Sequence, residues 1–266
     1  MRPERSVDVS IVVPLRDEEA NVDPLLDELI PVLVRTGWTF EVIVVDDGSG
    51  DTTFTRLAAW HQREPHLHVI RFSRNFGQSA AFTAGFAAAR GRFVVTFDGD
   101  LQNDPSDIPR LVTVAEQADI VCGWRRRRED AFLTRHVPSV AANWLIGLVT
   151  GVSLHDNGCS LKVFRAETVT PLRLEPGMHR YLPAIAGQLG GRVVEVEVHH
   201  RPRRFGRSKY GLSRTFRVIG DLVRLRALMR RAVNRPPSAP PLYEVAGALL
   251  PRQASSLEPG AWSPLH

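Results

Sequence analysis

Two hydrophobic periods alternate along the first 125 residues of this chain. Val9-Ser10-Ile11-Val12-Val13-Pro14 is a nearly continuous apolar run, the pattern of a strand covered on both faces of a parallel sheet. Asn21 to Arg35 follows with helical spacing. Glu41-Val42-Ile43-Val44-Val45 reads as a second strand, stopped by Asp46-Asp47-Gly48-Ser49-Gly50, and Asp51 is placed to cap the next helix. Leu67 to Phe72 predicts a third strand, Gly77 to Arg90 an alanine-rich helix, and Arg92 to Phe97 a fourth strand. Pro105 opens a further helix at its favoured first turn, and Asp119 to Cys122 is a fifth strand. A strand–helix series of this kind predicts an α/β fold with a doubly wound, mostly parallel sheet.

In open sheets of that class ligands bind beyond the carboxyl ends of the strands. Pro14 to Glu18, Asp46-Asp47, Arg74-Asn75 and Asp98 to Gln102 all fall at such ends, so four polar groups converge on one rim. The richest is Phe93-Val94-Val95-Thr96-Phe97-Asp98-Gly99-Asp100-Leu101-Gln102. In an extended segment alternate side chains share one side, which would set Asp98, Asp100 and Gln102 along one mouth. Three hard oxygen donors there suit Mg²⁺ or Mn²⁺ carrying a phosphate-bearing ligand. Taken alone, Asp-Gly-Asp after an apolar run is equally a turn. The rim argues against a dinucleotide dehydrogenase, because Leu15-Arg16-Asp17-Glu18 stands where a glycine-rich fingerprint would follow the first strand.

Past residue 125 the pattern loosens. Arg125 to Arg128 leads to an uncharged stretch from Val137 to Leu154, interrupted by Pro138, Asn143, Gly147 and Gly151, which suits a buried or interfacial helix better than a membrane span. Leu161-Lys162-Val163-Phe164 is strand-like, a helix is expected near Tyr181 to Leu189, and Arg192 to His199 alternates as a strand. From Arg201 to Arg235 there are twelve Arg or Lys against the single acid Asp221, on a chain whose net charge is only +5. Such a block meets nucleic acid, anionic lipid or phosphate, or is simply a solvated helix face. Only Phe205, Tyr210 and Phe216 interleave with it, too few stacking rings for a nucleic-acid surface. Seven of the last 31 residues are proline, so 236–266 is expected to be disordered. Cys122 and Cys159 make no disulfide framework, and the charged N-terminus lacks a signal core, which together suit a reducing compartment.

Taken in order, six segments resemble family 2 glycosyltransferases of the GT-A fold, in the branch that works on polyprenyl phosphates. These are Val12-Val13-Pro14 with Glu18-Glu19, Val44-Val45-Asp46-Asp47-Gly48-Ser49, Arg74-Asn75-Phe76-Gly77, Asp98-Gly99-Asp100-Leu101-Gln102, Asp156-Asn157-Gly158-Cys159 and Gly206-Arg207-Ser208-Lys209-Tyr210. The fifth is most similar to the aminoarabinose transferases of that branch. The resemblance implies that Pro14, Glu18 and Asp47 hold the nucleobase and ribose, with Gly77 and Asp98 also on the nucleotide sugar. It implies that Asp98, Asp100 and Gln102 hold the metal bridging two phosphates. Glu18 and Glu19 are also placed as ordinary first-turn acids of a helix. Arg125, Arg203 and Lys209 would meet phosphate, and Asp156 would orient the sugar or metal, or serve only as the acid of an Asp-Asn-Gly turn.

On this reading the chain comprises a catalytic domain over 1–210, a basic amphipathic interfacial helix over 211–235 and the tail. Its partners would be a nucleoside diphosphate sugar and a polyprenyl phosphate, with no nucleic acid, on the cytoplasmic face of a membrane. Where the branch has Gly-Glu-Ser-Lys this chain has Arg207, and where most members continue into transmembrane helices it turns proline-rich. Either the chain docks peripherally, or another subunit anchors it, or the sequence is cut short. The rival activities are transfer to a saccharide or protein hydroxyl and non-catalytic nucleotide-sugar binding.

Overall fold

A computed structural model describes residues 7–126, 147–148, 150–188, 190–202 and 242–250. The apolar runs form the strands β1 (Val7–Leu15), β2 (Phe40–Asp46), β3 (Leu67–Phe72), β4 (Gly91–Thr96), β5 (Ile120–Trp124), β6 (Lys162–Arg165), β7 (Val193–Glu197) and β8 (Val245–Leu249). Between them lie α1 (Glu19–Arg35), α2 (Thr53–Arg63), α3 (Gln78–Ala88), α4 (Ile108–Ala115), α5 (Ala166–Val169) and α6 (Leu182–Gln188). The strands join in one eight-stranded sheet of order β7-β5-β6-β4-β1-β2-β3-β8. β3, β2, β1 and β4 run parallel, as β5 and β7 do, while β6 and β8 are antiparallel to their neighbours. The chain reverses its direction of winding between β3 and β4, which leaves a crevice between the carboxyl ends of β1 and β4, where the polar motifs lie.

The two-residue period of β1 sorts two cores. Val9, Ile11 and Val13 enter the core packed by Val22, Leu26 and Leu29 of α1, Leu57 of α2 and Leu111 of α4. Val12 enters the other, with Ile43, Val45 and Val94, against Ala80, Ala84 and Phe86 of α3 and Ile185 of α6. α3 is alanine-rich because it lies so close to the sheet. A Cβ at Gly85 would stand 2.2 Å from Val12 Cγ1.

The amino ends of the strands are pinned by one buried carboxylate. Glu41 accepts from Ser10 Oγ at 2.6 Å, from the Arg90 amide at 2.7 Å and from Arg90 Nε at 2.9 Å, and Ser10 Oγ accepts from the Gly91 amide. His68 Nδ1 lies 3.6 Å from the same carboxylate. Burial pushes the His68 ring down from 6.5 to about 4, despite the pull of Glu41 toward the charged form.

Two sequence expectations change. β8 lies inside the stretch expected to be disordered and pairs with β3 from Val69↔Leu249 to Phe72↔Val245, with Tyr243 stacked on Phe72 at 4.9 Å. Its residues are small and flanked by proline, so local pattern concealed a strand that β3's free edge organises. The sheet therefore takes its last strand from beyond residue 235. The helix cap also moves: α2 starts at Thr53 after Thr52, and Asp51 instead accepts from the Thr53 amide at 2.9 Å. The basic helix expected over 211–235, Arg203 and Lys209 lie outside the described residues. Among the described residues no helix is long and apolar enough to cross a membrane.

His68 is neutral when folded, and the unfolded chain takes up a proton first as pH falls. Its contribution to stability is present above pH 6.5 and is lost as the pH falls to about 4. Chemical denaturation of wild type should show this loss across that window, and His68→Gln should flatten it. Parallel pH profiles would place the effect elsewhere.

Candidate active site

The loops after β1 and β2 are stitched together. Asp17, at φ 49°, donates its amide to Ser49 Oγ at 2.9 Å and accepts from the Gly50 amide at 2.9 Å. Glu18 donates its amide to Thr53 Oγ1 and accepts from the Asn21 side chain, while Glu19 accepts from both the Thr52 amide and hydroxyl. Glu19 thus serves the loop junction, and the partly buried Glu18 stands at the crevice edge. Pro14 lies opposite Val45, just past the last β1–β4 pair at Val12↔Thr96, where the missing amide hydrogen costs no ladder bond.

Asp46 and Asp47 divide the work at the end of β2. Asp46 is fully buried, accepts from the Ser49 amide at 3.0 Å, and has Arg71 Nε 3.7 Å away. Asp47 accepts from the Phe76 amide at 2.7 Å, the Gly77 amide at 2.9 Å and the Asn75 side chain at 2.8 Å. Burial pushes both carboxyls up, over the opposing hydrogen bonds. Gly48, at φ 65°, completes the clamp, since a Cβ there would meet the Arg74 backbone at 2.3 Å. Asp47 therefore moulds the Arg74–Gly77 loop, a role that the motif did not announce.

The Asp98 segment is not extended, and the alternation expected there fails. β4 ends at Thr96, a turn follows, and Leu101 adopts φ 63° while buried in the core. Burying Leu101 repays this unusual backbone. Gly99 lies where a Cβ would stand 1.9 Å from Leu15 Cδ2, which explains a glycine between the two acids. Asp98 accepts from Gln78 Nε2 at 2.9 Å, and Asp100 accepts from the Gln102 amide. The Gln102 side chain faces the Arg201 carbonyl at 3.5 Å, and its backbone carbonyl accepts from the Arg201 amide. Burial first, then the charge of Asp100, push the Asp98 carboxyl up to about 6, against the pull of Ser160, Lys162 and Arg125. A buried carboxylate raised in this way beside a second acid matches a divalent cation, whose charge would relieve both the burial of Asp98 and its repulsion by Asp100. Among the described residues no group of three or more His, Cys, Asp or Glu could hold a metal.

Across the crevice Arg125 and Asp156 form a buried fork. Nε donates to Oδ2 at 2.7 Å and Nη2 to Oδ1 at 3.0 Å. The Asp156 hydrogen bond and charge hold the guanidinium's pKa above its usual value although burial opposes it. Glu195 of β7 fixes the loop by accepting from the His155 and Asp156 amides. Thr96 Oγ1 donates to the Ser160 carbonyl at 2.6 Å, and Asn103 to the Ser160 hydroxyl at 2.7 Å, which draws this loop to the Asp98 turn. Lys162, only 4% exposed, donates to the Asn157 and Cys159 carbonyls. Its charge is felt by Asp98 and by the Cys122 thiol, which burial pushes up to about 12. Motif reading missed Lys162 and Gln78. A lysine inside Leu161-Lys162-Val163-Phe164 was the visible signal for the first, and nothing local marked the second.

Residues 10–169 match the model of glycosyl transferase family 2. The chain belongs to that family. It is 46% identical over 233 residues to a dodecaprenyl-phosphate galacturonate synthase from Rhizobium johnstonii, covering 86% of this chain and 69% of that protein. It is 37% identical over 217 residues to an undecaprenyl-phosphate 4-deoxy-4-formamido-L-arabinose transferase from Yersinia pestis, covering 81% and 66%. The chain thus spans about two thirds of the length of these curated relatives. Among solved structures, glucosyl-3-phosphoglycerate synthase from Mycobacterium tuberculosis, in complex with Mn²⁺, uridine-diphosphate-glucose and phosphoglyceric acid, superposes with a TM-score of 0.64 at 22% identity, over 83% of this chain and 80% of that one. That likeness shows a GT-A fold. The protein is a glycosyltransferase whose relatives lie in the polyprenyl-phosphate branch, with a galacturonate synthase alongside the aminoarabinose type that Asp156-Asn157-Gly158-Cys159 suggested.

The fork carries its own test. Asp156→Ala leaves a buried guanidinium without its partner and should cost about 3 kcal/mol of unfolding free energy. Arg125→Ala in the same background should then cost less than it does alone. Additive losses in a double-mutant cycle would mean that the two side chains are not coupled.

Proposed function

We propose that this chain transfers a sugar from a nucleoside diphosphate to a polyprenyl phosphate, with inversion at the anomeric carbon. The observation that carries the reading is the Asp98–Asp100 pair at the sheet's switch point, flanked by the loops that Asp47 moulds and by the Arg125–Asp156 fork. Relatives named for transfer to dodecaprenyl and undecaprenyl phosphate support the acceptor.

Pro14, Glu18, Asp47 and Gly77 line the nucleoside side of the crevice, and Asp98, Asp100 and Gln102 would hold Mg²⁺ or Mn²⁺. Such an ion, when bound, would supply positive charge toward a leaving diphosphate. Arg125 spends Nε and Nη2 on Asp156 and keeps its remaining N–H donors for phosphate oxygens. An acceptor phosphate monoester, with its second pKa near ~6, already presents an anionic oxygen at neutral pH. The phosphate oxygen forms the new bond to the anomeric carbon as the bond to the donor diphosphate breaks. No strong base is required, which agrees with Asp156 being held in a fork. Transfer to a neutral hydroxyl would need such a base. Arg203 and Lys209 are assigned to phosphate by motif. The chain docks peripherally on the cytoplasmic face, since a polyprenyl chain stays in the bilayer, and the basic block of 201–235 suits anionic lipid. A separate anchoring subunit is the alternative.

The 46% identical relative, named for galacturonate, makes a nucleoside-diphosphate galacturonate the first donor to try, beginning with the UDP form, with undecaprenyl phosphate and Mn²⁺. A lipid-linked sugar monophosphate should form, and chelation should abolish it. Asp100→Asn should reduce turnover roughly a hundredfold or more, as expected for loss of several kcal/mol of charge stabilisation, with the fold intact by circular dichroism. Normal turnover by Asp100→Asn would remove the metal assignment. Transfer to saccharides but not to the lipid phosphate would replace the acceptor.

A further inference from the structure

Arg180 lies in a short 3-10 turn, Met178–Tyr181, entered through Gly177 at φ 84°. Met178 and Tyr181 are buried, which seats both ends of the turn in the core under α3 and α6. His179 donates its amide to Ser79 Oγ at 3.3 Å, and its ring Nδ1 lies 2.9 Å from the same oxygen. Ser79 directly follows Gln78, whose side chain donates to Asp98. Arg180 is thus the residue after one held on the first turn of α3, and that turn also carries the contact to the candidate metal pair.

The Nε of Arg180 is buried and meets no acceptor among the described residues. The other partly buried arginines among the described residues are all engaged. Arg71 lies by Asp46 and Phe54, Arg125 holds Asp156, and Arg165 reaches Asp119 and the Glu116 carbonyl. Arg173 donates to backbone carbonyls, and Arg201 joins Glu28 and Asp104. A guanidinium N–H taken from water without an acceptor is costly. It is tolerated where a ligand supplies the missing oxygen, and Nε with its neighbouring Nη presents a two-pronged edge that fits a phosphate or a carboxylate.

We propose that Arg180 binds a substrate oxyanion, either the phosphate of the acceptor or the carboxylate of an acidic donor sugar. This rests on the transferase reading above and adds a residue that none of the recognised motifs contains. Removing a cation held without an acceptor does not weaken the empty protein, whereas removing a structural arginine does.

Equilibrium binding separates the sources. With Mn²⁺ present, the whole chain is titrated with farnesyl phosphate, UDP-galacturonate and UDP-galactose, as wild type, Arg180→Gln and Arg180→Lys. Arg180→Gln should weaken one anionic ligand roughly ten- to hundredfold, and Arg180→Lys should recover part of the loss. Weakening of farnesyl phosphate alone assigns the acceptor phosphate. Weakening of UDP-galacturonate but not UDP-galactose assigns the sugar carboxylate. The melting temperature without ligand should hold or rise in Arg180→Gln. Equal binding of all three ligands by wild type and Arg180→Gln, or a lowered melting temperature with affinities unchanged, overturns the proposal. Because binding is read directly, a wild type that bound these ligands but transferred no sugar would count against the transferase reading and not against Arg180.

Discussion

Asp47 sits at the carboxyl end of β2 and accepts hydrogen bonds from the Asn75 side chain and from the Phe76 and Gly77 amides, which lie beyond β3. Those bonds decide where α3 begins. From that start Gln78 reaches Asp98 beyond β4, and Ser79 meets His179 from a segment about a hundred residues later. One buried carboxylate therefore sets the relative positions of three strand ends. Its negative charge is stabilised by amides aimed at it and is destabilised by burial, so the loop and the ionised form depend on each other.

The crevice gathers charges that a protein interior ordinarily keeps apart. Asp100 repels the charge of Asp98, and the charges of Lys162 and Arg125 pull on the same carboxylate in the opposite sense. The Arg125–Asp156 fork is neutralised from within, by two directed hydrogen bonds. Lys162 is satisfied by carbonyl oxygens, which solvate an ammonium without cancelling its charge. Burying charge of one sign beside like charge costs stability in the empty protein. A nucleotide sugar, a divalent ion and an anionic acceptor would return that cost on binding.

The opposite end of the sheet works differently. Glu41, Ser10, Arg90 and the Gly91 amide close on one another, and no oxygen of that network is left for a ligand. Both ends hold buried acids, yet Glu41 is matched by Ser10 and Arg90 while Asp98 stands beside a second acid, Asp100. This contrast follows the general behaviour of parallel sheets, in which the carboxyl ends face the loops that bind ligands.

Apolar periodicity and strand-terminating acids were enough to establish the parallel sheet, its helices and the rim on which the motifs meet, because burial on both faces of β1, β2 and β4 demands continuous apolar runs that local sequence displays. Pro14, Asp47, Asp98 and Asp100 were visible for the same reason, as polar residues at the points where such runs stop. What lay hidden was every relation spanning long sequence separations. The αL turn at Leu101 depends on a core pocket for its side chain, the pairing of Arg125 with Asp156 depends on β5 lying beside β6, and β8 depends on an open edge of β3. Local composition sets which faces must be buried, but the partners of a buried polar atom are chosen only when distant strands are brought into register.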